Sequence, residues 1–257
     1  MQENILYYKF AKYYDIIYAD KDYEKECDFI EAIIQAYHVS SNPRKILDIG
    51  CGSGEHAMIL AQRGYQMTGI DFSETMISMA KKKSSSLNID FQIMDMTEFS
   101  LAEKFDVCTC LFSSICYLPR NDDLKTTLKS IRESLQPDGL FIFDFWNGIA
   151  VISQKPSIKI KDVKYDDDSR IIRIAEPELD LTNQICSIKY HCLVIKGEKL
   201  TDEFEEIHPI RFFFPREIES YLQDSGFKII KVCSLLNYSF EQDPDNWCLT
   251  IIAKKEN

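Results

Sequence analysis

Two kinds of residue in this chain could do chemistry by type and spacing: glycines that clear a path for a ligand, and single carboxylates at the ends of apolar runs. Gly50, Gly52 and Gly54 alternate directly after the apolar run 46–49, with Asp48 inside it and Cys51 between the first two glycines. Glycines in such a loop let the backbone turn sharply and let a ligand approach with no Cβ in the way. Asp71 closes a second apolar run, 66–70, roughly 20 residues beyond the loop, where a carboxylate can accept hydrogen bonds from both hydroxyls of a ribose. Asp95 and Met96 close a third run, 89–94; the plainer use of Asp at such a place is a turn cap. Phe72 and Met76 are placed to flank a flat base, although a helical Met more often fills core. The loop is G-x-G-x-G, not the G-x-G-x-x-G of dinucleotide enzymes, and no Lys-Ser/Thr pair follows it to cradle phosphates.

These residues need a scaffold that brings strand ends to one rim. The run 46–49, between Pro43 and the glycines, reads as a buried parallel strand, and Ala57, Leu60 and Ala61 as one face of a helix stopped by Gly64. Ser73 can cap the helix that Lys81, Lys82 and Lys83 end. Further strands are expected at 105–112 and 140–145, separated by a helix over 121–135 and a turn at 136–139. Asp144, Trp146 and Asn147 then stand at a strand's C-terminal end, the edge at which open α/β sheets bind ligands. From 148 to 214 no helix is evident. Short β-branched runs at 157–163, 170–175, 184–195 and 202–214, separated by acidic or glycine turns, predict an inserted antiparallel sheet, with Pro209 at an edge or bulge. A helix from Pro215 to Gly226 and strands at 227–235 and 247–253 resume the first pattern. The chain opens on Tyr7, Tyr8, Phe10, Tyr13, Tyr14 and Tyr18, followed by a helical pattern through Cys27, Phe29, Ile30, Ile33, Ile34 and Tyr37.

The stretch Asp48-Ile-Gly50-Cys51-Gly52-Ser-Gly54 resembles the first motif of class I S-adenosylmethionine-dependent methyltransferases, and most of the chain is similar to their small-molecule members. The run Phe112-Ser-Ser-Ile-Cys-Tyr-Leu118, the β insertion and the Phe-Phe-Pro-Arg-Glu helix entry look most like the N-methyltransferases of nucleotide-linked amino-deoxysugars. Cys116, where a smaller residue is usual, and Asp144-Phe-Trp146-Asn147, where that group has Glu-Pro-Trp, depart from it. The resemblance implies an α/β fold: a Rossmann-like doubly wound seven-stranded sheet with its last strand inserted antiparallel. Residues 1–147 and 213–257 would form the cofactor-binding domain, and 148–212 an antiparallel subdomain over the substrate cleft. It implies S-adenosyl-L-methionine as cofactor, met by Asp48, Gly50, Cys51 and Gly52 at the methionine end, Asp71 at the ribose, and Phe72, Met76, Asp95 and Met96 at the adenine. Leu111 and Phe112 would face the transferred methyl. Tyr14-Asp-Ile-Ile-Tyr18 matches a lid helix that folds over the cofactor, with Tyr14 against it. Tyr18, Ser114, Tyr117, Trp146 and Asn147 are expected to line the acceptor pocket.

Charge and composition narrow the partners. A net charge of -11 disfavours a phosphate backbone or anionic membrane as main partner, so the expected acceptor is a small molecule. No apolar run approaches the ~20 residues of a membrane span, and no signal peptide is visible, which predicts a cytoplasmic protein. Nine cysteines without a C-x-x-C pair read as buried thiols, with no metal site expected. His56, His191 and His208 are candidate bases, and the spacing singles out none. A dimer through the exposed face of the insertion is compatible with the pattern. The competing function is a protein that binds the cofactor without transferring methyl.

Overall fold

The structure, a computed structural model, describes residues 9–38 and 44–256. Tyr7, Tyr8 and Pro43 lie outside the described residues. Seven strands form the main sheet: β1 (Lys45–Ile49), β2 (Gln66–Asp71), β3 (Asp90–Ile93), β4 (Phe105–Cys110), β5 (Leu135–Trp146), β10 (Phe227–Ser234) and β11 (Cys248–Lys255). Their order is β10-β11-β5-β4-β1-β2-β3. The first five run parallel, and β11 runs antiparallel between β5 and β10. The strand order reverses beside β1, so its C-terminal end opens into the crevice where such sheets bind ligands.

The strands are apolar on both sides because helices cover both. Leu47 and Ile49 face α5 (Asn121–Ser134) and α7 (Pro215–Asp224), in a core that takes in Leu124, Leu128, Ile218 and Leu222. Ile46 faces α2 (Tyr23–Tyr37), α3 (Glu55–Gln62) and α4 (Glu74–Lys83), against Ile30, Ile33, Leu60 and Ile77. Ser73 caps α4 as expected, its hydroxyl accepting from Met76 N at 3.4 Å, and Lys81, Lys82 and Lys83 occupy the last turn, where the helix dipole favours cations.

Two expectations need correction. Strand β5 begins at Leu135, directly after α5, and takes in the segment read as a turn. Asp138, at a φ of 63°, bends it there, opposite a register shift between Phe105 and Val107 of β4. The insertion also opens on a helix, α6 (Gly148–Gln154). Its seven residues start at a glycine and are rich in Ile and Val, so it carries no helical signature; the Asn147 side chain caps it by accepting from Ile149 N at 3.2 Å.

Strands β6 (Lys159–Lys164), β7 (Ser169–Asp180), β8 (Ile185–Lys196) and β9 (Lys199–Arg211) form a separate antiparallel meander. Pro209 sits on its edge strand β9, where a missing N–H is tolerated. The chain leaves and re-enters the main domain at one point: Asn147 bridges Phe213, and Phe213 N donates to Trp146 O at 3.0 Å. The inner face of the meander divides its contacts. Ala175, Cys186, Ile188 and Ile210 join the main core. Ile171, Cys192, Val194 and Phe204 pack instead on Phe10, Tyr13 and Ile17 of the N-terminal helix α1 (Phe10–Ile17).

Candidate active site

Strand β1 delivers the glycine loop into a cleft of about 330 Å³. Asp48, at 2% exposure, accepts from the Thr109 hydroxyl at 2.9 Å through Oδ1, while Oδ2 is buried without a hydrogen-bond partner among the described residues. Burial pushes this carboxyl above the usual range. Asp71 is nearly as buried: Oδ2 accepts from Gly52 N at 2.9 Å and Oδ1 from Ser73 N at 2.8 Å. Burial lifts its pKa to about 6, against the pull of those two N–H groups. Around Gly52, at a φ of 55°, there is open space; Gly54, at 85°, leaves none, since a Cβ there would stand 2.7 Å from the Phe91 ring.

The other strand ends complete the rim. Asp95 caps its own turn, Oδ1 accepting from Thr97 N and Oγ1 at 2.8 Å each, and also lines the cleft. Phe72 stands 42% exposed beside it, whereas Met76 is almost wholly buried. After β4, Phe112 and Ser113 are both held at left-handed φ near 57° (56° and 58°), which costs non-glycine residues energy. The anchor is Asp144 at the end of β5: its Oδ2 accepts from Ser113 N at 2.7 Å and Ser113 Oγ at 2.9 Å. This turn sets Phe112 against the cleft and starts a 3-10 turn (Ser114–Tyr117). The Tyr117 hydroxyl reaches His208 Nδ1 at 2.9 Å, and His208 Nε2 lies 3.4 Å from Glu206.

Helix α1 closes the opposite wall. Tyr14 lines the cleft and packs on Tyr18, whose ring meets Phe112 edge-on. Asp15 ties α1 to the loop, accepting from the Ser53 hydroxyl at 2.5 Å and from Lys83 Nζ at 2.8 Å. Glu206 of the inserted sheet accepts from Lys9 N and Phe10 N at the start of α1, at 2.7 and 2.8 Å. His56 is buried, with Nε2 2.6 Å from Glu26, and Tyr23 meets its ring edge-on.

The structure therefore brings Tyr14, Asp48, Gly50, Cys51, Gly52, Asp71, Phe72, Met76, Asp95, Met96, Leu111, Phe112, Ser114 and Tyr117 to one cleft. Tyr18 and Trp146 line a second cavity alongside. Asn147 belongs to neither and is corrected from pocket residue to scaffold. It is fully buried; its Nδ2 donates to Pro244 O at 2.7 Å and Asn246 O at 3.0 Å, and its Oδ1 caps α6. His191 faces outward to Glu203, at 2.7 Å. Asp15, Ser53, Lys83 and Glu206 escape sequence reasoning because their partners stand far away in the chain and no local pattern marks them.

Comparison with known proteins decides the family. Residues 46–139 match the model described as a methyltransferase domain. The Bacillus subtilis (strain 168) protein YqeM, assigned by its name to the methyltransferases, is 33% identical over 232 residues, 89% of each chain. The chain is a class I S-adenosylmethionine-dependent methyltransferase. This methyltransferase is also similar to a crystal structure of an S-adenosylmethionine-dependent methyltransferase from Clostridium acetobutylicum ATCC 824 (TM-score 0.79, 26% identity, 98% of this chain and 99% of that one). A dTDP-3-amino-3,6-dideoxy-alpha-D-glucopyranose N,N-dimethyltransferase from Streptomyces fradiae is 24% identical over 85% of this chain and 84% of its own. The cleft suits the cofactor on its own terms. The unpartnered Asp48 Oδ2 calls for a cationic donor, Asp71 offers carboxylate oxygens at the rim, and the space over Gly52 admits a ligand against the backbone.

Proposed function

We propose that this methyltransferase acts on a small nucleotide-linked amino sugar and transfers methyl to its nitrogen. The observation that carries this reading is the second cavity. It adjoins the cofactor cleft through the Tyr14–Tyr18–Phe112 contacts, lies under the inserted sheet, and is of small-molecule size. The named relative from Streptomyces fradiae supports the same acceptor class. In this reading Asp48, Gly50, Cys51 and Gly52 hold the methionine end of the cofactor, and Asp71 holds the ribose. Phe72, Met76, Asp95 and Met96 surround the adenine, and Tyr14, Leu111 and Phe112 close on the sulfonium.

The bound cofactor supplies an already activated methyl group, so the protein's share is alignment and exclusion of water. An acceptor amine must be neutral when it attacks. Ser114 and Tyr117 line the wall on the acceptor side, and Tyr117 carries a hydroxyl fixed by His208 that can hold the amine in line. Among the described residues no helix is long and apolar enough to cross a membrane; we place the reaction in the cytoplasm. The outer face of the inserted sheet carries Ile172, Ile174 and Leu193 among charged neighbours, and a second copy would pair there. The test is incubation with S-adenosylmethionine and a panel of dTDP-amino sugars and their hydroxyl analogues, read by mass spectrometry. Gain of methyl on the amine is expected; gain only on the hydroxyl analogues would overturn the nitrogen assignment.

A further inference from the structure

The second cavity has a charge unlike the rest of the molecule. The chain carries 41 acidic and 30 basic side chains, yet Arg173, Lys155 and Lys159 line this space of about 450 Å³ and no Asp or Glu does. Several other cations on the same sheet are paired: Lys161 with Asp20, Arg170 with Asp162, Lys189 with Glu176 and Glu205. Among the described residues Arg173, Lys155 and Lys159 form no salt bridge with a carboxylate. Asp20, which feels the field of Arg173, is taken up by Lys161.

Arg173 is the best held of the three. Its guanidinium lies over the Tyr18 and Tyr190 rings, 5.6 and 5.2 Å from their centroids, and Nη1 donates to the Tyr18 hydroxyl at 3.1 Å. Its Nε is buried without a hydrogen-bond partner among the described residues. A guanidinium fixed on two rings and lining the cavity is a ready receiver for phosphate oxygens, and two exposed lysines add charge without demanding one geometry. Across the cavity Trp146 and Trp247 meet edge-to-face at 5.5 Å and offer flat apolar surface.

We propose that this cavity is a phosphate-binding subsite: Arg173, Lys155 and Lys159 hold the diphosphate of the acceptor, and the Trp146–Trp247 pair packs on the group beyond it. This deepens the nucleotide-linked reading above and rests on it. Tyr18 contacts both Arg173 and Phe112, so the diphosphate lies one aromatic side chain away from the cofactor cleft, and the far end of the same molecule reaches the methyl.

The test is calorimetric titration of the protein loaded with S-adenosylhomocysteine, using dTDP, inorganic pyrophosphate and thymidine in turn. Binding of dTDP and pyrophosphate, weakened by salt, with thymidine much weaker, is expected. Arg173→Gln and Lys159→Gln should each lower dTDP affinity roughly tenfold or more, Arg173→Lys less, and the exposed, distant Lys196→Gln not at all. Unchanged S-adenosylhomocysteine affinity in each variant verifies folding, and Lys159→Gln, on an edge strand, keeps the test open if Arg173→Gln fails to fold. Absence of dTDP and pyrophosphate binding, or equal dTDP affinity in all variants, overturns the subsite. Methylation of a phosphate-free amino sugar alongside that result would leave nitrogen methylation standing. Arg173-dependent dTDP binding without methylation of any dTDP-amino sugar would keep the subsite and remove the amino-sugar assignment.

Discussion

Asp71 is a carboxylate held where water is scarce, and its ionisation should be readable in cofactor binding. Its folded pKa of about 6 lies above the unfolded value of 3.8. The folded protein therefore binds more protons than the unfolded chain between those pH values. The group's cost to stability is full above pH 6 and is relieved as pH falls toward 4, by up to ~3 kcal/mol. A ribose that donates two hydrogen bonds to the carboxylate favours the charged form, so binding has the opposite dependence. S-adenosylhomocysteine affinity should fall as pH drops below about 6, and binding near that pH should release a proton. Asp71→Asn should flatten this slope and, through the lost charged hydrogen bonds, weaken affinity by about 2 to 4 kcal/mol. Calorimetry in buffers of different ionisation enthalpy measures both; an unchanged slope in the variant would move the titration to Asp48.

The glycines allow a sharper contrast. Gly52→Ala, with open space around it, should lower cofactor affinity and cost folding only the strain of its left-handed φ of 55°, about 1 kcal/mol. Gly54→Ala carries the same kind of strain at 85° and would also drive a Cβ into Phe91, so it should lower the melting temperature by several degrees more, a further effect of about 1 to 3 kcal/mol. Equal behaviour of the two would mean that neither backs a ligand. Nothing in the sequence separates them, because the difference lies in a ring contributed by β3. The cleft's polar strand ends were legible, since apolar runs that stop at Gly or Asp fall at one rim of a parallel sheet. Asn147 read as a pocket residue because it follows β5; its buried amide is spent on Pro244 and Asn246, almost a hundred residues further on.

Helix α1 shows where reading from sequence stops short. Its aromatic residues announce a packing surface, and the resemblance makes it a lid, but neither says what holds it. The structure shows attachments on both sides: Asp15 to Ser53 and Lys83 on the cofactor side, and the cap from Glu206 with the Lys9–Asp202 pair on the side of the inserted sheet. Asp15→Ala removes the first. The pair with Lys83 is partly exposed, so the loss in folding stability should stay within about 1 kcal/mol. The effect on cofactor release should be larger, because the loop would lose the Ser53 tie that joins it to α1. Stopped-flow release of S-adenosylhomocysteine should quicken several-fold with the melting temperature nearly unchanged. Release at the original rate would show that apolar packing alone seats the helix.

The inserted sheet, expected from sequence to lie over the substrate cleft, is tied by its packing to the cofactor cleft as well. One part of its inner face belongs to the main core, and the rest carries α1, which in turn carries Tyr14 into the cleft. Excising the sheet would strip both, so a single large-to-small change is the cleaner probe. Phe204 on β9 is nearly buried, stacks on Tyr13 at 5.7 Å, and lines neither cavity. Phe204→Ala leaves a cavity under α1 and should cost about 3 to 5 kcal/mol of local packing. Global stability rests mainly on the larger sheet, so the loss should appear first as faster amide exchange in α1. Cofactor affinity should fall with it, although no cofactor-facing residue has changed, because Tyr14 and the Asp15 tie both depend on where α1 lies. If α1 exchanges faster while S-adenosylhomocysteine binds as tightly as before, the helix contributes nothing to retention, and the inserted sheet serves the acceptor alone.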